Sequence, residues 1–492
     1  MSALGYLKND PEVVLEALRR GEVSTIDVAA EQVPDFFLTY AIESSVLDQL
    51  AQSFPDPRRQ QPEIPVRFLL GAGIAGHFAG LYALSQSPYA LHSPRLLAEL
   101  GVQVVVNQAG CGLSRKGTKQ EAPFHGDVIR KVLEQIAQVD KKANDIPGRS
   151  LINWFNGHVG KIFCGAVGAE PCIHILDCTT LTVTLNNDHY ELSGVTSRTE
   201  WEPEQAQAVK TAERGYKLGT IRSLLDDGAV MTGIAWGQIQ EHDLTLTNDL
   251  VTNCPHLQPG DILLEDRGFL AATTITQLKQ ERQVDIYTGL KKDMVILRGA
   301  IVQANARPHA WTPHPTRKGQ EIQLVKGMGP LWEGLGVPVN VCVVRWKDKK
   351  TDEWQYFGFV TTDLSVSAKQ ILITYQTRPE IEEDYRQLKS SSWHLEKFCT
   401  RRLVQIIWHV ILTLIAYNLF QVYANTEKGR KFAGKTKQRI EREQRRKQES
   451  YLLVCTQDAF GIYSTKDLLF IMLGLPDTVR QKLQSILIQK RE

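Results

Sequence analysis

The period of the apolar positions divides this chain. Over residues 1–165 they recur mainly at helical spacing: 12–20 and 43–54 predict amphipathic helices, and 68–85 a more continuously apolar one. Pro62 and Pro65 punctuate the approach to that third helix. Residues 110–123 read as a basic, glycine-containing loop, and 127–141 as a further helix. Beyond residue 171 the period falls to two. Residues 173–176, 181–185 and 189–192 predict successive strands, the last two joined by the turn residues Asn186, Asn187 and Asp188. Residues 229–236 and 262–264 predict further strands, with helices at 244–251 and 271–280. Such alternation predicts an α/β domain, a mixed sheet covered by helices.

Residues 294–362 carry three more strand-like runs among Gly and Pro turns, which reads as a β-rich insertion. Residues 404–424 are 21 positions without a formal charge, long enough to cross a bilayer. They nevertheless include Gln405, His409, Asn418 and Gln421, and a cationic segment follows, so the expectation is a buried helix packed on the sheet rather than a membrane span. The expected domains are 1–165 helical, 166–293 first part of the α/β domain, 294–365 insertion, 366–425 second part, and 426–492 a basic linker with a C-terminal helical region.

Composition changes this picture little. At 492 residues the chain is long enough for two or more cored domains, and a net charge of +2 singles out no partner. The eight cysteines include no C-x-x-C pair, which argues against a zinc site and a disulfide framework and fits a reducing, cytoplasmic setting. The N-terminus has no basic stretch leading into an apolar core, so no secretion signal is expected. Charge is uneven locally: residues 428–447 hold ten Lys or Arg against two Glu, either a solvated linker or a phosphate-binding arm.

Three acids stand where a chain places metal ligands. Asp177 and Asp266 each end a β-branched or aliphatic run, and Glu382 opens a helical segment. Three hard carboxylates converging from two strand ends and a helix suit a pair of Mg²⁺ ions about 3.5–4 Å apart, which serve in-line phosphoryl displacement. Each acid alone has a bland reading: a strand-end cap, an ion-paired turn residue, an ordinary helix-surface Glu. Around Glu382 the chain reads Tyr375, Arg378, Glu382, Lys389, and offsets of 3, 7 and 14 fall within roughly 60° on a helical wheel. Pro379 pushes Arg378 out of the α region, which would leave Tyr375 and Arg378 in the lead-in to the helix.

This Tyr-x2-Arg-x3-Glu-x6-Lys spacing resembles that of the insertion-sequence-four group of bacterial DDE transposases. Thr179 and Thr180 after Asp177, and Arg267-Gly268 after Asp266, are similar to that group as well, and the resemblance spans about 171–419. Many members carry an aromatic where this chain has Pro379. The resemblance implies a ribonuclease H-like fold interrupted by a β-rich insertion. It implies a catalytic and metal-binding triad of Asp177, Asp266 and Glu382, holding two Mg²⁺ for which Mn²⁺ can substitute. The reaction implied is cleavage at the ends of an insertion sequence in double-stranded DNA, with transfer of the freed 3′-hydroxyl to target DNA, by a homodimer. The alternatives are a nuclease on the same fold without strand transfer and an inactive DNA-end-binding protein. A haloacid dehalogenase-type phosphatase is set aside, because Thr179 stands where its second acid belongs.

Arg378 and Lys389 are the natural phosphate ligands, a fork and a point charge. Tyr375 could donate to a phosphate or pack. In the insertion, Arg298 is a candidate DNA contact and Trp311 a candidate base-stacking residue, although the tryptophans there could equally fill a small β core.

Overall fold

A computed structural model describes residues 8–30, 32–58, 64–91, 96, 99–100, 124–170, 172–202, 207–446 and 450–488. The expected loop at 110–123 lies outside these. Two compact units are present: Met1–Trp154 together with Ser390–Glu492, and Phe155–Lys389.

The second unit is built on one ten-stranded sheet. Its strands are β1 (Ile173–Val183), β2 (Gly194–Glu202), β3 (Gln207–Leu225), β4 (Gly228–Gln238), β5 (Ile262–Glu265), β6 (Asp285–Gly289), β7 (Thr312–Pro313), β8 (Gln320–Val325), β9 (Asn340–Lys347) and β10 (Trp354–Thr361). The order is β2-β3-β1-β5-β6-β10-β9-β8-β7, with β4 also on β3. β1, β5 and β6 run parallel to one another, while β3 is antiparallel to β1 and to β4. The run β4-β3-β1-β5-β6, with two antiparallel hairpin strands beside three parallel ones, is the ribonuclease H-like arrangement, and helices flank the sheet. Burial explains the parallel centre: Ile175, Leu263, Leu264 and Ile286 are closed off from solvent, as a sheet covered on both faces requires.

Several strands differ from the sequence expectation. β1 is one continuous strand, and residues 188–190 form a turn rather than a strand. The longest strand, β3, was not foreseen, because its polar segment breaks the apolar alternation. Its first half pairs with β2 and its second half with β4. Gly215 of β3 faces Thr182 of β1, and a Cβ there would lie 2.0 Å from the Leu181 carbonyl oxygen. The β-rich stretch continues the main sheet edge to edge, since β10 pairs with β6, and the helix Val295–Asn305 covers it through Ile296, Leu297 and Ala300.

The other unit is mainly helical. Leu403–Ala424 is long and apolar enough to cross a membrane, yet its residues are buried, and in this unit it packs on Val66–Ala79, Asp127–Lys142 and Val33–Glu43. Its burial is as expected, but the expectation placed it on the α/β sheet, whereas the partners it has within this unit are helices. His77 and His409 meet across two of these helices, Nε2 to Nδ1 at 3.3 Å. The chain ends join in a four-stranded sheet of Lys8–Asn9, Ala459–Ser464, Ser450–Cys455 and Thr25–Ala30, cored by Leu18, Ile26, Val454 and Leu483. No strand was expected in either segment.

Candidate active site

The parallel register brings the two aspartates side by side. Leu176 of β1 is the partner of Glu265 of β5, so Asp177 and Asp266, one residue further on, stand side by side in the middle of the sheet. Asp177 lies within β1, and Asp266 follows β5 at the start of the turn Arg267–Phe269. Glu382 enters from the helix Glu380–Lys389, which presses Ile381, Asp384, Tyr385 and Leu388 inward.

Arg378 is the hub. One guanidinium nitrogen lies 3.0 Å from Asp177 Oδ2 and 3.9 Å from Asp266 Oδ2, and the other bonds Glu382 Oε1. All three acids expected from sequence therefore surround one cation. Asp177 is nearly buried, with 14% of its side chain exposed, whereas Asp266 and Glu382 are open at 44% and 60%. Burial pushes the Asp177 carboxyl up to about 6; Arg378 and the Cys178 N–H oppose this, and Asp266 and Glu382 add to it. Burial would pull the Arg378 guanidinium down, but Asp177, Asp266, Tyr375 and Glu382 outweigh it and hold it above its ordinary value.

The other members of the tetrad are split between elements. Tyr375 is the last residue of the helix Ala368–Tyr375, and Arg378 and Pro379 link it to Glu380–Lys389. The Tyr375 hydroxyl donates to the Glu265 carbonyl at 3.1 Å, its ring lies against Phe359, and burial raises it to about 12. Lys389 Nζ donates to the Thr180 carbonyl. Tyr375 and Lys389 thus brace the two strands beside the aspartates.

Arg298 is exposed on the helix Val295–Asn305 and is not among the side chains that Arg378 gathers. Trp311 is partly buried against the core beneath that helix, and the Arg345 guanidinium covers its ring at 4.0 Å from the centroid.

Several contributors were not singled out from sequence. Tyr385 lies three residues after Glu382; its hydroxyl donates to the Asp177 carbonyl at 2.9 Å and meets Thr220 Oγ1 at 2.6 Å. Arg222 of β3 pairs with Asp384 and with Glu380, fastening the same helix to the sheet. Glu265 is buried with its carboxyl raised well above the usual range by desolvation, and its Oε1 has no hydrogen-bond partner. Spacing on the Glu382 helix could have flagged Tyr385. Nothing local marks Thr220 or Arg222.

Beside Asp266 and Arg378 opens a cavity of about 730 Å³. Trp346, Phe357 and Phe359 line it, together with Arg267 and Arg317. Among the described residues no group of three His, Cys, Asp or Glu side chains stands ready to ligate a metal. Chemically the donor set still fits a hard divalent cation: three carboxylates whose mutual repulsion a cation relieves, as Arg378 does here.

A family model described as a transposase DDE domain matches residues 168–419, just over half of the chain. No curated protein matches the chain. A match over this length, on a ribonuclease H-like sheet that sets Asp177 and Asp266 on adjacent parallel strands, establishes that the chain belongs to the DDE-domain transposase family.

Proposed function

We propose that this transposase cuts double-stranded DNA at the ends of an insertion sequence and joins the freed 3′-ends to target DNA, with Asp177, Asp266 and Glu382 as its catalytic acids. The observation that carries the reading is the gathering of these three carboxylates, from the middle of β1, the end of β5 and a helix, around Arg378. They form a group of carboxylates beside two central strands, and the family's chemistry needs hard oxygen ligands.

Asp177, Asp266 and Glu382 would hold divalent cations, Mg²⁺ with Mn²⁺ as a substitute and two ions in the reading favoured here. Bound there, such ions activate the attacking oxygen and stabilise the leaving one. The rest falls to the chain. Arg378 offers a forked donor to a phosphate oxygen, and Lys389 a point charge. Tyr375 and Tyr385 keep the acid-bearing backbone in register. The cavity beside Asp266 gives the DNA next to the scissile phosphate an aromatic wall and cationic side chains.

In the first step a water oxygen attacks phosphorus and the 3′-oxygen leaves as a hydroxyl, giving a 5′-phosphate. In the second, that 3′-hydroxyl attacks a target phosphodiester and displaces its 3′-oxygen. The number of P–O bonds is conserved in the second step, so it needs no energy source. Two DNA ends must be processed together, and we take the acting species to be a homodimer, working on chromosomal DNA in the cytoplasm.

The test is incubation of the full chain with labelled duplexes carrying the flanking ends of its own element, in Mg²⁺, Mn²⁺ or EDTA. Metal-dependent nicks bearing 3′-hydroxyls, followed by joined products, are expected. Nicks that never yield joined products would reduce the function to that of a nuclease. Binding without cutting in either metal would leave an end-binding protein.

A further inference from the structure

The basic run at 428–447 has no role in the chemistry above, yet part of it is built into the helical unit with care. Residues 428–443 carry seven Lys or Arg against two Glu. The helix Lys437–Arg446 is pinned by its first residue: Lys437 is 3% exposed, and its ammonium donates to the carbonyls of His77 at 2.6 Å and Ser392 at 2.7 Å. It also lies 4.9 Å from the centroid of the Trp393 ring. Ile440, one turn on, is fully buried. These two residues define the inner face, so 439 and 442 fall on the outer one, roughly 140–200° round the helix from Lys437. Arg439 and Arg442 are exposed there, and Arg430, Lys431 and Lys428 are exposed on the segment leading in.

The acids beside this face offset only part of its charge: Lys428 pairs with Glu43 at 3.0 Å, and two glutamates lie within the run. Glu441 leans towards Lys437 at 3.8 Å, and Glu443 is shared between Lys435 and Arg439. A solvated linker gains nothing from burying a lysine to hold its neighbours still. Fixing like charges on a rigid scaffold instead raises their self-repulsion, which a polyanion relieves.

We infer that residues 428–442 form a DNA-binding surface separate from the acidic site, gripping the sugar–phosphate backbone of duplex DNA without reading its sequence. Lys437 is the anchor of this surface and contacts no DNA; Arg430, Arg439 and Arg442 contact phosphates. The inference rests on the transposase reading, which supplies the duplex as partner. Arginine suits the task, because its fork matches two phosphate oxygens.

The experiment is equilibrium binding of the full chain to a mixed-sequence duplex in EDTA, over a salt series. Arg430→Gln, Arg439→Gln and Arg442→Gln combined should weaken binding on the order of tenfold to a hundredfold and lower the slope of log K against log salt by roughly 2–3, about 0.9 per phosphate contact. The corresponding Lys replacements should keep most of the slope. Wild-type binding with an unchanged slope in the Gln variant would overturn the surface while sparing the transposase reading. Weaker binding at unchanged slope would also overturn it, because only a conformational effect would remain. A wild-type chain that binds anionic phosphatidylserine vesicles but no duplex would sink both.

Discussion

The Tyr385 hydroxyl donates to the backbone carbonyl of Asp177 at 2.9 Å, and the same oxygen meets Thr220 Oγ1 at 2.6 Å. Thr220 is the cross-strand partner of Asp177 in the β1–β3 ladder. One buried phenol therefore fixes the helix of Glu382 against the strand of Asp177. Tyr385→Phe should leave the ring in place and unpair two polar groups, costing about 1–3 kcal/mol of stability. If Tyr385 positions the acids, Mn²⁺ binding measured by calorimetry should weaken severalfold and cleavage fall about tenfold, with duplex affinity unchanged. A variant with lowered melting temperature but wild-type Mn²⁺ affinity would make the tyrosine merely structural.

Glu382→Gln keeps the shape of the helix and removes a charge that is 60% exposed, so folding should be unaffected. Cleavage should fall at least about a thousandfold while duplex affinity stays within about twofold, in line with the loss of a cation ligand that serves the chemical step and not the binding of DNA. Cutting at the wild-type rate would show that the site lies elsewhere.

Arg378 touches all three acids, and its replacement separates charge from geometry. Arg378→Lys retains a cation but cannot reach Asp177 and Glu382 with a planar fork. It should lose cleavage nearly as completely as Arg378→Ala, roughly a hundredfold or more. Near-full activity in the Lys variant would mean that a point charge suffices there.

The helical unit should be acid-sensitive through its buried histidines. Desolvation depresses His409 to about 4, and lowers His77 well below its ordinary value, with His409 adding to the effect. The unfolded chain takes up these protons near pH 6.5 and the folded chain only near pH 4 for His409. Stability is therefore full above about pH 6.5 and falls as pH drops towards 4, by on the order of 3 kcal/mol for His409. Urea melts between pH 7 and 4.5 should show this slope, and His409→Gln should flatten it. Equal slopes would assign the acid sensitivity to other groups.

Gly215 tests the sheet beneath the site. A Cβ there would sit 2.0 Å from the Leu181 carbonyl oxygen, a backbone atom that cannot rotate away. Gly215→Ala should force β1 and β3 apart and cost upwards of about 2 kcal/mol, read as a lowered denaturation midpoint. A midpoint equal to the wild type would mean that the strands shift freely.

Much of the site was open to reading from the chain. Asp177, Asp266 and Glu382 were marked by local signals, an acid after an apolar run or opening a helix, and the tetrad spacing tied Arg378 to them, although β1 runs on past Asp177 to Val183. The Pro379 effect on Arg378 also emerges from local sterics: the helix Glu380–Lys389 begins after it. Local period likewise recovered β5, β9 and β10, the helix Asp127–Lys142 and the core helix Leu403–Ala424. These features depend on residues a few positions apart, so a linear pattern carries them.

Tertiary structure decided what depends on partners far away in sequence. β3 is long and part polar, and only its neighbours β1, β2 and β4 give it a reason to extend. The β-rich stretch became an extension of the main sheet because β10 found β6 as a free edge. Trp311 sat in a polar, proline-rich context, yet Arg345 and the core beneath Val295–Asn305 cover its ring. Tyr385, Thr220 and Arg222 matter through one buried contact surface between a helix and a strand more than 160 residues apart. The sequence by itself determined which residues are candidates for the chemistry, since charge and local spacing are written in it. Only the fold decided which groups hold them in place, because hydrogen bonds and burial are properties of the assembled backbone.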